Sequence, residues 1–163
     1  MSDAKILKIF YRALSSSDPK YLFKNKIVVK NNFLIVDGIK YQLNNGIKMF
    51  SIGKASISMT EAFINLVGSE KIIEGIIVTP DTSTTSLKEY PSLTVIKSSH
   101  PFVSELSENA SHSVLQFADN CDNDDIVFCL ISGGGSALLA CPISEISLLE
   151  KNIFTVLSRA ART

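Results

Sequence analysis

Apolar residues recur at helical spacing near the start of the chain (Ile6, Leu7, Phe10, Leu14), which predicts a helix over 3–14. Ser15-Ser16-Ser17-Asp18-Pro19 reads as its end. Two short β-rich runs, 27–30 and 33–36, flank Asn31-Asn32. That pair suits a type I′ hairpin turn, because asparagine tolerates positive φ. Asp37-Gly38 predicts another turn before an extended run over 39–43.

From residue 48 onward the period switches back and forth. Extended apolar runs over 48–52, 72–78, 93–96 and 125–131 alternate with helical patterns over 54–67, 104–119 and 147–160. Strand–helix alternation predicts an α/β domain whose parallel sheet is covered on both faces. On that expectation Cys129, inside a strand, belongs to the core, and His112, on a helix, to the surface. No internal repeat or low-complexity segment interrupts the pattern.

The 163 residues suit a single domain, 1–163, large enough to bury about 70% of the unfolded surface. Hydrophobic content of 45% against 20% charged residues excludes a disordered chain. Lys+Arg and Asp+Glu are equal at 16 each, which argues against nucleic acid as the main partner. No apolar run nears the about 18 residues that span a bilayer, and the charged N-terminal helix lacks a signal-peptide core. Cys121, Cys129 and Cys141 form no CxxC pair, so neither a disulfide framework nor a zinc site is expected. A reducing cytoplasm is the expected compartment.

The candidate chemistry lies just after the strands. In parallel sheets, ligands sit beyond the carboxyl ends of the strands. Gly53-Lys54, Thr79-Pro80-Asp81, Ser99-His100-Pro101 and Ser132-Gly133-Gly134-Gly135-Ser136 each follow a predicted strand, so all four are expected along one edge. Three glycines between two serines leave backbone N–H groups open to an anion, phosphate above all, at the start of the next helix. A tight turn would need fewer glycines. The loop is not a Walker A motif, since no GKS/T follows, nor is it G-x-G-x-x-G. Lys54 reads either as a solvated lysine or as a cation that neutralises phosphoryl charge. Asp81 reads either as a cation ligand or as a turn cap, and His100 as structural or as a ligand-binding side chain.

Taken in order, these pieces resemble the N-terminal region of the class II glycerate kinases, the family with a MOFRL domain at its C-terminus. The residues that carry the resemblance are Ile52-Gly53-Lys54-Ala55 with Met59, Val78-Thr79-Pro80, Ser99-His100-Pro101, and Leu130-Ile131-Ser132-Gly133-Gly134-Gly135-Ser136-Ala137-Leu138-Leu139 with Pro142 behind. The resemblance covers roughly residues 1–158 and departs after Ser-His-Pro, where Val103-Ser104 stand in place of the family's Pro-Asp pair.

It implies a Rossmann-like three-layer α/β/α fold with a mostly parallel sheet and a small β-hairpin near the N-terminus. It also implies ATP- and Mg²⁺-dependent phosphorylation of D-glycerate. Lys54 would be catalytic; Ser132, Gly133, Gly134, Gly135, Ser136 and His100 would bind substrate or phosphate, and Gly53 and Asp81 the cofactor. Full members are more than twice as long, with the site in a cleft between two domains. The chain is therefore expected to be an incomplete kinase, inactive alone, whose uncovered apolar surface favours a homo-oligomer. Two other classes fit some of these residues: a non-catalytic module for sugar phosphates, and an NAD(P)H-dependent hydroxypyruvate reductase, which the missing dinucleotide loop disfavours.

Overall fold

The structure, a computed structural model, describes residues 3–80, 82 and 87–160, apart from the side chains of Lys88 and Arg159. The chain opens with helices α1 (Asp3–Ser16) and α2 (Pro19–Lys26). Helix α2 is not expected from the pattern, since Pro19 reads as the end of α1. There Asp18 accepts a hydrogen bond from Lys20 N, and Pro19 occupies the first helical turn. Proline needs no amide partner at that position, so it starts this helix rather than ending the previous one.

Three strands follow, β1 (Ile27–Lys30), β2 (Phe33–Val36) and β3 (Ile39–Gln42), paired antiparallel in the order β1-β2-β3. The type I′ expectation for Asn31-Asn32 fails, because only Asn31 has positive φ (54°). At Asp37-Gly38 both central residues have it (48° and 84°), as a type I′ turn requires.

The second sheet holds β4 (Ile47–Ile52), β5 (Ile72–Pro80), β6 (Leu93–Ser98) and β7 (Ile126–Ile131). All pairs are parallel, in the order β6-β5-β4-β7. This is the Rossmann order, and the chain direction across the sheet reverses between β4 and β7. Helix α3 (Ser56–Val67) joins β4 to β5, and α4 (Glu105–Asp119) joins β6 to β7. Ser104 caps α4 in a reciprocal capping box with Ser107. A single helical turn, α5 (Gly135–Leu138), and a last helix, α6 (Leu148–Ala160), complete the described chain.

Alternate strand residues feed two cores. Met49, Ile77 and Leu130 face α3 and join Met59, Phe63, Ile64 and Val67 with Ile27 and Leu34 of the antiparallel sheet. Phe63 is wholly buried, stacks on Phe128 with ring centroids 4.3 Å apart, and meets Phe23 edge-on at 6.1 Å. That aromatic chain ties the N-terminal elements to the parallel sheet. On the other face Ile52 and Val78 pack against Ala110 of α4 and Leu138 of α5.

Helix α4 lies over β5 and β6 and leaves β7 bare on its side. Cys129 is therefore exposed, against the core expectation, and so are Val127 and Ile131 beside it. His112 is exposed as expected. All three cysteines are free thiols. No helix of the described residues is long and apolar enough to cross a membrane.

Candidate functional site

The four parallel strands end along one edge, and the loops after β4 and β7 meet at the point where the strand order reverses. Ser132 N donates to Ile52 O at 2.9 Å, extending the β4–β7 ladder by one step. Lys54 N then donates to Gly133 O at 2.9 Å. The Ser132 hydroxyl accepts from Ala55 N at 3.0 Å and donates to Ile52 O at 3.3 Å. The loop carrying Lys54 is thereby laced to the glycine loop by main chain and hydroxyl together.

Gly53 is required by this closeness, and Gly134 is favoured by its backbone angle. Gly53 has φ of +117°, and a methyl group there would lie 2.6 Å from Ser132 O and 2.8 Å from its carbonyl carbon. Gly134 has φ of +98° and directly faces the other candidate side chains. A methyl there would stand 3.1 Å from His100 Cδ2, 3.2 Å from His100 Nε2 and 3.3 Å from Lys54 Cγ. Gly133 has open space where a side chain would be, and it is exposed. The geometry is a shallow cradle with glycine backbone as its floor, and with Lys54 and the His100 ring beside it.

The structure thus brings together Gly53, Lys54, His100, Ser132, Gly133, Gly134 and Gly135. Lys54 is exposed and His100 half-buried, so both are open to a solute. Lys54 sits two residues before α3 rather than inside its first turn, because Gly53 and Lys54 complete the turn out of β4. Ser136 is exposed one residue into α5. Asp81 lies outside the described residues.

The helix expected after the glycine loop is a single turn of four residues. Its macrodipole is correspondingly small, so loop amides and side-chain charge carry the attraction for an anion. The donors are backbone N–H groups, an ammonium and an imidazole, a set suited to phosphate or carboxylate oxygens.

The His100 loop is held by contacts that no sequence pattern marks. Ser99 Oγ and Ser104 Oγ are hydrogen-bonded to each other. Asn152 of α6 accepts from Val103 N at 3.0 Å and donates to Val103 O at 2.9 Å. Nothing in the spacing of residues 103 and 152 signals that contact; only the position of α6 creates it.

A family described as a domain of unknown function, DUF4147, matches residues 5–161. The glycerate 2-kinase of Sulfurisphaera tokodaii is 38% identical over 132 residues, covering 81% of this chain and 31% of that protein. The glycerate 2-kinase of Picrophilus torridus is 33% identical over 150 residues, covering 91% of this chain and 34% of that protein. A crystal structure of a Pyrococcus horikoshii protein superposes with a TM-score of 0.80 at 29% identity, over 96% of this chain and 35% of that one. The chain spans about a third of the length of the relatives it matches. With the Rossmann strand order and the Ile-Ser-Gly-Gly-Gly-Ser loop at its reversal point, the match over residues 5–161 makes this chain a member of the DUF4147 family.

Proposed function

We propose that this domain supplies the anion-binding wall of a glycerate kinase, which transfers the ATP γ-phosphoryl group to D-glycerate. The observation that carries the reading is the convergence of Lys54 and His100 on Gly134, in the crevice where the strand order reverses. The kinship with proteins named glycerate 2-kinase supplies the substrate.

In this reading the N–H groups of Gly133, Gly134 and Gly135 bind phosphate or the glycerate carboxylate. Their freedom from side chains lets the anion reach the backbone. Lys54 offsets charge on the transferring phosphoryl group, and His100 donates to the same anion. Phosphoryl transfer needs chiefly positioning and charge neutralisation, and these groups provide both. Gly53 acts indirectly: it permits the close approach of the two loops. Ser132 holds Lys54 in place through Ala55, and Ser136 stands at the exposed rim.

The donor set fits the phosphates of ATP. It does not fit Mg²⁺, which takes oxygen ligands and above all carboxylates. Among the described residues no group of three or more His, Cys, Asp or Glu side chains could hold a metal. No step is therefore assigned to a metal in this wall. The carboxylate read as a cofactor ligand, Asp81, lies outside the described residues, and the chain spans about a third of the length of its relatives, so these 163 residues alone should turn over glycerate slowly or not at all.

Binding to the purified chain tests the reading. D-Glycerate and inorganic phosphate should each shift the amide resonances of Gly133–Gly135, and Lys54→Met should weaken that binding by about 10-fold or more. Unshifted glycine amides at saturating ligand would sink the anion site. A sugar phosphate that binds while D-glycerate and ATP do not would favour a non-catalytic sugar-phosphate module instead.

A further inference from the structure

Two consecutive residues of α6 reach two different loops of the site. The Asn152 carboxamide satisfies both backbone groups of Val103, accepting from its N–H at 3.0 Å and donating to its C=O at 2.9 Å. One side chain does here what a neighbouring strand would do. Val103 is buried and lies three residues beyond His100. Lys151, half-buried, donates from Nζ to the carbonyl of Ser136 at 3.4 Å, just past the glycines. Burial holds its amine below the usual lysine range. A cation at the end of a helical turn is favourably placed for the carbonyls there.

The path of the chain makes the contact matter. Residues 139–147 lead from the glycine loop into α6, and α6 then returns to grip the His100 loop. Val103 is buried, so its N–H and C=O need partners that bulk water does not readily supply. Meeting them from α6 fixes the distance between the two loops. On the other side, Ser104 caps α4 and bonds Ser99, so the backbone around His100 is held from both directions.

We propose that Asn152, assisted by Lys151, is a positioning residue that keeps the His100 imidazole against Gly134 and Lys54. It touches none of the reacting atoms and acts through the backbone of residues 99–104. Its consequence for ligand affinity rests on the anion-binding reading above.

The test uses the whole 163-residue chain, isotope-labelled, with inorganic phosphate as the probe. Asn152→Ala removes both bonds to Val103. Asn152→Asp keeps an acceptor for Val103 N–H but loses the donor for its C=O. Asn152→Ala should shift the His100 ring resonances and weaken phosphate binding about fivefold, with Asn152→Asp intermediate. A His100 ring resonance and a phosphate affinity both unchanged in Asn152→Ala, while the Val103 amide shift reports the lost bond, would overturn the proposal. If Asn152→Ala does not fold, Asn152→Asp is judged by the same two readouts. If the unmodified chain binds no phosphate, the anion reading fails on its own, and an unmoved His100 resonance still rejects the role of Asn152.

Discussion

Gly53 and Ser132 sit at the ends of neighbouring parallel strands with no room for a side chain between them: a Cβ on Gly53 would lie 2.6 Å from the Ser132 carbonyl oxygen. The same two loops are joined by Lys54 N to Gly133 O and by Ala55 N to Ser132 Oγ. Gly53→Ala must therefore either push the loops apart or strain a backbone at φ +117°. We expect it to cost about 1–3 kcal/mol, read as a shift in the urea midpoint. Phosphate binding should fall with it. A variant with unchanged stability would mean that the loops are not in contact in solution.

The pair Lys48–Asp125 predicts a pH dependence away from the site. Nζ lies 2.6 Å from Asp125 Oδ2 and also donates to Asn120 O at 2.7 Å. The hydrogen bond from Lys48, then that from the backbone of Asp122, hold the Asp125 carboxyl below its ordinary value. The same bond raises the Lys48 amine. For a lowered carboxyl, the stabilisation is present above the unfolded value of about 3.9 and fades as pH falls through the lower folded value. For a raised amine, it is present below the ordinary lysine value and fades as pH rises through the higher folded one. Thermal midpoints should thus fall less between about pH 5 and 3 in Asp125→Asn than in the unmodified chain. Parallel midpoint curves would reject the pair as a contributor.

Phe63 bridges Phe23 and Phe128, and so links α2 to the parallel sheet through α3. Phe63→Ala should cost about 3–5 kcal/mol by lost burial and the cavity left behind. Chemical denaturation measures this, and a loss under about 1 kcal/mol would mean that the core collapses to fill the space.

The bare face of β7 predicts association. Ile131 is 69% exposed and shares its face with Val127 and Cys129, while α6 exposes Phe154 at 72%. Apolar surface of this kind marks a contact face. The chain should self-associate with rising concentration in sedimentation or light scattering, and Ile131→Lys should reduce that. A strictly monomeric chain at high concentration would remove the expectation of a homo-oligomer.

Much of the architecture was legible in the pattern of the chain. Every strand lies within two residues of its expected bounds; the parallel ones, buried by helices, read as near-continuous apolar runs between turns. The glycine loop, Lys54 and His100 were legible as well, since each follows a strand and such ends share an edge. What failed was local chemistry with two readings. Pro19 can stop one helix or start another, and the N-cap bond from Asp18 decided for the start. Asn31-Asn32 and Asp37-Gly38 both suit tight turns, and only the second took positive φ twice.

By itself, then, the amino-acid order determined strands β1 to β7 and the helices α1, α3, α4 and α6, and that the unusual residues fall at strand ends. Hydrophobic period and turn residues act over a few positions, so they can be read along the chain. Tertiary structure alone decided the strand order β6-β5-β4-β7, which sets the Lys54 loop beside the glycine loop although 77 residues separate Ala55 from Ser132. It also decided that Asn152 grips Val103 and that Cys129 lies in the open. Those outcomes depend on which strands α4 covers and on where α6 meets Val103, a matter of packing between distant segments rather than of any local pattern.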